Sequence, residues 1–454
     1  MASDYEAITR YNEEQLGKDT ASRKSQVNMY SDFSHFVYEI LQNADDYDAT
    51  KVSFTLDEDE LVIEHNGIPF KEDNVKAISY FGKSTSRDDL VKTGRFGLGF
   101  KSVFAFTATP SIHSGDENFQ IYDLYRLAAL PKLPNLSTNT TRIVLPFNHI
   151  ELRPSYVEIL VDKEKAFNEI LDRLQKLDIT TLLFTRNVLE IKWIVRDKEG
   201  NQKKGNYLRG DKDQKKINRC DQIRKTEITD GKAPHSYLVY SRPIKWREED
   251  HKPVDIAFYV NKMPSETETI QSSKKPLFVL FPTIVEIHMG FLMNGPFRTP
   301  AHRESVSLKD EFNQFLIQEI GDLLCQSMLD IKEKGLLSVS FLNLLPIRMD
   351  DFPEDSMFYP IVREVRDALM NEELLPADDG TFVSARSAKL ARGAELRKLL
   401  SQDQLRALFQ SNDGIKWLAE DIPQDRTSDL RLYLMKQLKI EEVRPEKFAE
   451  LLTD

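Results

Sequence analysis

A chain of 454 residues accommodates about two to four domains. Its 40% hydrophobic and 30% charged residues suit a core-forming globular protein, and no apolar run approaches the roughly 20 residues that span a bilayer. A net charge of −11 excludes a protein that is basic overall for nucleic acid, though not one with a local basic face.

Residues 1–30 are polar and read as a loose arm or a first short helix. From Asp32 to Asp46, the apolar residues Phe36, Val37, Ile40, Leu41 and Ala44 recur at helical spacing. Alternation at Val52, Phe54 and Leu56, then at Leu61 and Ile63 across the acidic turn 57–60, predicts two strands. A helix around 72–80, a Ser/Thr/Gly/Asp-rich segment 82–94 and further strands up to Thr141–Leu145 complete a first α/β unit, 1–150. Pro146 and Pro154 bracket its exit.

A second unit, 151–343, opens with an amphipathic helix over 155–177. Strand-like runs follow at Val188–Val195, Tyr237–Tyr240, Ile256–Val260, Leu277–Phe281 and Ile287–Met293. The lysine-rich stretch 198–219 reads as a solvated loop. A helix from Leu308 to Lys334 closes the unit, with Phe312, Phe315, Leu316, Ile320, Leu323 and Leu324 facing inward. From 344 to 454 the composition is mostly helical, apart from a hairpin at Ala377–Gly380.

Two segments carry chemistry. A helix turns ~100° per residue, so Glu39, Asn43 and Asp46 fall within about 60° of one another. Such an arc can hold Mg²⁺ through the Asn43 amide oxygen while Glu39 polarises a water against a phosphate. The same residues also suit a solvated polar face with a capping Asp. The second segment, Gly94-Arg95-Phe96-Gly97-Leu98-Gly99-Phe100-Lys101, lets backbone N–H groups approach an anion ahead of a helix near Lys101. It is no dinucleotide fingerprint, because the preceding 82–93 is polar where an apolar strand is required. Nor is Gly82-Lys-Ser84-Thr85 a Walker A loop, since Ala77 stands where that loop needs glycine.

Taken in order, these motifs resemble the GHKL ATPases (gyrase, the dimeric heat-shock chaperone, histidine kinases, MutL), and most closely their sacsin-type branch. The resemblance rests on Phe36–Asp46, Asn66-Gly67-Ile-Pro69-Phe70, Gly82–Thr85 and Gly94–Val103, and covers at least 30–150. It implies an α/β (α+β) protein: a two-layer α/β-sandwich ATP-binding domain, a transducer-like α/β middle domain and a mostly helical C-terminal region. It also implies ATP and Mg²⁺ as cofactors. Glu39 resembles the general base, and Asn43 the magnesium ligand. Asp46 would support the adenine side, with Asn66 and Gly67 at the strand end. Ser84 and Thr85 would belong to the mobile lid, Gly94 to Phe100 to the phosphate loop with Lys101 also at the nucleotide, and Thr141 resembles the threonine that backs the base. One position departs from the pattern. The family's Asp that accepts the adenine amino proton is replaced by His65, and the following second glycine by Pro69. A neutral imidazole has one acceptor nitrogen for that bond.

A second resemblance lies at Phe291–Val306, similar to the catalytic-loop region of the heat-shock chaperone's middle domain. There an arginine reaches the γ-phosphate; Arg303 matches it, with Arg298 second. The other histidines show no metal spacing. Cys220 and Cys325 make no disulfide framework, and the N-terminus lacks a secretory signal, so a cytoplasmic protein is expected. The function implied is slow Mg-dependent ATP hydrolysis driving a shape change on a macromolecular partner, a protein client or partner subunit, with a nucleotide-dependent homodimer in view. The alternatives are a nucleotide-binding interaction module with degenerate hydrolysis, and a nucleic-acid-remodelling or defence ATPase subunit acting through a local basic face.

Overall fold

The computed structural model describes residues 2–16, 36–80, 100–216, 221–262, 267–299, 306–307, 309–399, 404–406, 409, 414–444, 446 and 449. The chain is mixed α/β and forms two compact units: Met1–Gly210 with Glu227–Pro234, and Asp211–Thr226 with His235–Asp454.

In the first unit, helices α1 (Tyr5–Leu16), α2 (Phe36–Asp46) and α3 (Glu72–Ser79) accompany strands β1 (Lys51–Leu56), β2 (Glu60–His65), β3 (Ser111–Ser114), β4 (Glu117–Tyr122), β5 (Arg126–Ala129) and β6 (Thr141–Pro146). A short helix α4 (His149–Leu152), then α5 (Lys163–Gln175) and β7 (Glu190–Arg196), complete it. The strand order is β7-β1-β2-β6-β3-β4-β5. Among the described residues of this unit, β1 and β7 pair in parallel, Lys51 facing Glu190 through to Leu56 facing Val195, and the other pairs along this order are antiparallel. Val52, Phe54 and Leu56, Leu61, Ile63 and His65, and Thr141, Ile143 and Leu145 alternate into one buried face, the period-2 signature of a sheet packed on one side. Phe36, Val37, Ile40, Leu41 and Ala44 of α2 are also buried, and the Phe36 ring meets Phe106 at 5.1 Å between centroids.

Of the two readings of residues 1–30, the first short helix is the one found, as α1; residues 17–30 lie outside the described residues. Buried Glu117 accepts from Ser3 N at 3.1 Å and from the Tyr5 hydroxyl at 2.7 Å. Asn12 donates to Ser79 Oγ at 3.1 Å and to the Tyr125 carbonyl at 3.2 Å, tying α1 to the end of α3. The lysine-rich stretch expected as a loop is instead mostly strand, β8 (Gln202–Lys216). Its Gln202–Leu208 part pairs antiparallel with β7, and burial of Tyr207 and Arg209 supplies the alternation that the many lysines obscure. The expected helix 155–177 narrows to Lys163–Gln175, opened by the Asp162 cap on Lys165 N.

β9 (Gln222–Thr229) spans residues of both units. The second unit continues with β10 (Pro234–Trp246), β11 (Glu249–Lys262), β12 (Glu268–Gln271), β13 (Pro276–Val279), β14 (Phe281–Glu286) and β15 (Leu292–Asn294). They are ordered β14-β13-β15-β11-β10, with β12 on β11. Helix α6 (Glu311–Glu333) buries Phe312, Leu316, Ile320, Leu323 and Leu324, while Phe315 is half-buried, and Asp310 caps it at Phe312 N. Beyond it lie α7 (Val339–Leu342), α8 (Tyr359–Asn371) and the expected hairpin, β16 (Leu375–Pro376) with β17 (Phe382–Val383). The C-terminal region also holds a small parallel sheet that its composition does not announce. Strand β18 (Ala388–Ala391) pairs with both β19 (Lys416–Trp417) and β20 (Glu441–Val443), interleaved with helices α9 (Ala394–Leu399) and α10 (Asp429–Lys436).

Candidate functional site

Helix α2 presents Glu39 and Asn43 one turn apart, and neither is solvated: they are 7% and 5% exposed. Burial of a carboxylate and a carboxamide on one helix face is costly without ligands or partners, so the simple polar-surface reading of this helix fails. Among the described residues, Asn43 Nδ2 has no hydrogen-bond partner. Its amide N–H₂ therefore retains donor capacity on the turn that carries the Glu39 carboxylate. Asp46, one turn further, is half-buried.

The neighbouring acid, Asp45, is the residue that sequence reasoning missed. Its carboxylate is 1% exposed and accepts from the backbone N–H groups of Arg186 (2.9 Å), Asn187 (2.8 Å) and Val188 (2.9 Å). Asn187 Nδ2 donates back to the Asp45 carbonyl at 2.8 Å. Three N–H groups on one anion form a strong charge-assisted clamp. It holds the segment that leads into β7 against the end of α2, and so fixes the helix that carries Glu39 and Asn43. The signal was visible as a third acid in Asn43-Ala-Asp45-Asp46, but its partners lie about 140 residues away, as the separations of 141 to 143 show.

At the end of β2, His65 is 5% exposed and faces Val52 on one neighbouring strand and Thr141 on the other. Two candidates chosen from separate motifs are thus cross-strand neighbours. The Thr141 hydroxyl lies 2.6 Å from Ser114 Oγ, which accepts from Phe70 N at 2.9 Å. Gly67 N–H donates to His65 Nδ1 at 3.2 Å. This occupies the acceptor nitrogen, so the proton of the neutral ring sits on Nε2. Burial pushes the imidazole pKa down to about 4. The ring is therefore a neutral donor, and the adenine-accepting role that its free nitrogen suggested is not available in this geometry.

The turn after His65 demands glycine. A Cβ on Gly67 would meet the Tyr47 carbonyl at 2.6 Å, and Ile68 N donates to that same carbonyl at 2.7 Å. The turn is thereby pressed onto the residue that follows α2. The Asn66 side chain is committed to the hairpin: its Oδ1 accepts from Thr50 N and Lys51 N, both at 2.9 Å, and its Nδ2 donates to Thr50 Oγ1 at 2.8 Å.

Phe100 and Lys101 are buried. The helix expected at Lys101 is a 3₁₀ turn over Lys101–Ala105. Lys101 Nζ donates to the Tyr80 carbonyl at the end of α3, and burial pushes its pKa down to about 7. Ser84, Thr85, Gly94, Arg95, Phe96, Gly97, Leu98, Gly99 and Arg303 lie outside the described residues. Arg298, in the second unit, stacks its guanidinium over Phe312 at 4.9 Å, and its Nη1 stands 3.5 Å from Asp310. Asn313 pins the Arg298 backbone, accepting from its N–H at 2.7 Å and donating to its carbonyl at 3.0 Å.

Among the described residues no cluster of three or more His, Cys, Asp or Glu could hold a metal. That pattern still fits Mg²⁺, which keeps several waters and needs few protein ligands when a nucleotide supplies phosphate oxygens. Asn43, buried on the same turn as Glu39, would meet such an ion through its amide oxygen, while its unspent Nδ2 is a donor suited to a phosphate oxygen. No described helix is long and apolar enough to cross a membrane.

A family model for the Sacsin domain matches residues 20–129. Protein NO VEIN of Arabidopsis thaliana is 24% identical over 335 residues, 66% of this chain and 11% of its own length. Sacsin of Homo sapiens is 34% identical over 126 residues, 24% of this chain and 3% of its own length. The chain thus spans only a small part of either curated relative. Solved structures similar to it include a MutL ATPase domain from Aquifex aeolicus, at 12% identity, covering 58% of this chain and 90% of that one with a TM-score of 0.24. Another is the B-subunit of DNA gyrase from Myxococcus xanthus, at 9% identity, covering 60% and 82% with a TM-score of 0.28. Neither superposition constrains the fold, which rests on the strand pairings above.

Proposed function

We propose, from the premise that residues 20–129 form a sacsin-type domain, that this domain is a GHKL-type site that binds Mg-ATP and hydrolyses it slowly. The observation that carries the reading is the burial of Glu39 and Asn43 on one turn of α2, with Asn43 Nδ2 left as an unspent donor for a phosphate oxygen. Glu39 would orient and deprotonate the attacking water. Asn43 would hold Mg²⁺, whose chemistry is to neutralise charge on the phosphate oxygens. Lys101 and the glycine run before it would receive the phosphates. Thr141 and His65, side by side on β6 and β2, would border the base.

The output would be a change of shape acting on another macromolecule, a protein client or partner subunit, with a nucleotide-dependent homodimer as one form. The chain's division into 1–150, 151–343 and 344–454, with Arg303 as the γ-phosphate sensor, belongs to the same proposal. A nucleotide-holding module without turnover is the second reading, and His65 favours it, because its donor proton does not match adenine's amino group. Glu39→Ala separates the two. The ATPase reading expects retained ATP binding and loss of phosphate release. Equal phosphate release by the variant and the parent protein would remove Glu39 as the base.

A further inference from the structure

The small parallel sheet of the second unit carries a charge cluster of its own. Glu442, in β20, has a side chain 3% exposed and stands among four guanidiniums. Arg431 of α10, itself buried, gives Nη2 (2.7 Å) and Nε (3.2 Å) to Glu442 Oε1 and Nη1 to the Pro423 carbonyl at 2.9 Å. Its role is structural, since it is spent on the protein. Arg426 pairs with Glu442 Oε2, and Arg392 Nη1 and Arg444 Nε each stand 3.6 Å from that same oxygen. Among the described residues, no other carboxylate lies within 4.0 Å of these four arginines.

Four positive charges therefore face one negative charge. Arg392, Arg426 and Arg444 have side chains 49%, 38% and 55% exposed. Each guanidinium carries five N–H donors, and a single carboxylate oxygen uses few of them. Most of these donors remain for something outside the fold. The crowding also weakens the cations themselves: burial first, then the Arg392 and Arg444 charges, push the Arg426 pKa below its usual range.

We propose that Arg392, Arg426 and Arg444 form a binding site for an isolated phosphoryl group, held in place by Glu442. A phosphate ester carries close to two negative charges at neutral pH and three acceptor oxygens, which suits three convergent planar forks. A monocarboxylate would leave most of the surplus charge in place. The cluster is a point and not a stripe. Asp425 and Asp429 flank Arg426 in sequence, and nearby Lys389 is neutralised by Glu441 at 2.7 Å. A nucleic-acid backbone needs cations spaced along a track, and these flanking acids interrupt one.

The test titrates the full chain, by calorimetry at low ionic strength, with inorganic phosphate, a phosphoserine peptide, its unphosphorylated counterpart and a single-stranded oligonucleotide. The expected result is saturable binding of phosphate or the phosphopeptide, weakened at least tenfold in R392A/R444A. R392K/R444K should be intermediate, because it keeps the charges and loses the forks. The unfolding midpoint of R392A/R444A without phosphate should be unchanged or higher, which separates loss of binding from loss of fold. Binding of phosphate alone assigns a small ester; preference for the phosphopeptide assigns a modified protein side chain. The proposal is overturned if neither probe binds, if binding survives in R392A/R444A, or if the oligonucleotide binds more tightly than both probes and loses that binding in the double variant.

Discussion

The backbone N–H of Gly67 donates to Nδ1 of His65 across 3.2 Å, which leaves the ring's single proton on Nε2. At the position that the family resemblance assigns to base reading, the side chain thus offers a donor where an aspartate offers an acceptor. Nε2–H opposes the amino group of adenine and complements the keto oxygen of guanine or hypoxanthine. We expect His65→Asp to shift the ATP:GTP affinity ratio towards ATP by about tenfold or more, the order of one matched against one mismatched hydrogen bond. Competition calorimetry with the two nucleotides checks it. An unchanged ratio would mean that His65 does not face the base.

The same burial makes His65 a pH-dependent liability. Its folded pKa, about 4, lies below the unfolded value near 6.5. The unfolded chain therefore binds the extra proton, and stability falls as pH drops from about 6.5 towards about 4. The full difference would remove about 3 kcal/mol, an upper figure. His149, fully buried and likewise lowered by burial, acts in the same direction. Urea midpoints from pH 7 to pH 4.5 should decline, and more gently in His65→Asn. Parallel slopes would show that other groups control the acid limb.

Asp45 should matter to stability more than either of its flagged neighbours. Asp45→Ala strands three N–H groups that now share one carboxylate. We expect a loss of about 3 kcal/mol in urea unfolding, and a smaller loss for Asp45→Asn, which keeps one acceptor oxygen. A loss below 1 kcal/mol for Asp45→Ala, an order-of-magnitude threshold, would show that the clamp is dispensable.

Lys101 supplies a proton-coupled prediction. Buried, with a pKa of about 7, it is largely deprotonated at pH 8 in the nucleotide-free protein. An incoming phosphate favours the charged form, so ATP binding at pH 8 should take up a proton. Calorimetry in buffers of different ionisation enthalpy measures this directly. Lys101→Met should abolish the uptake; an uptake that persists in the variant belongs to another group.

Much of the first unit was legible because alternation and helical spacing are local. Phe36–Ala44, Val52–Leu56 and Leu61–Ile63 each announce their buried face within a single element. What was not legible depends on distant pairing. The parallel contact of β1 with β7 joins residues about 140 positions apart, and Asp45 bonds across a similar separation to the segment that leads into β7. The lysines of β8 hid a strand whose buried positions are just Tyr207 and Arg209. At the site, residue types were readable and their chemistry was not. The burial of Glu39 and Asn43, and the direction of the His65 proton, come from neighbours that the motif itself does not contain.

In the proposed function, Asn43 and Glu39 form the magnesium and water side of a nucleotide pocket. ATP titration by calorimetry with and without Mg²⁺, on the parent chain and on Asn43→Ala, tests it most directly. One ATP should bind per chain, at least about tenfold more weakly when Mg²⁺ is removed, and Asn43→Ala should lose that magnesium dependence. Absence of ATP binding, or equal magnesium dependence in the two proteins, would contradict it.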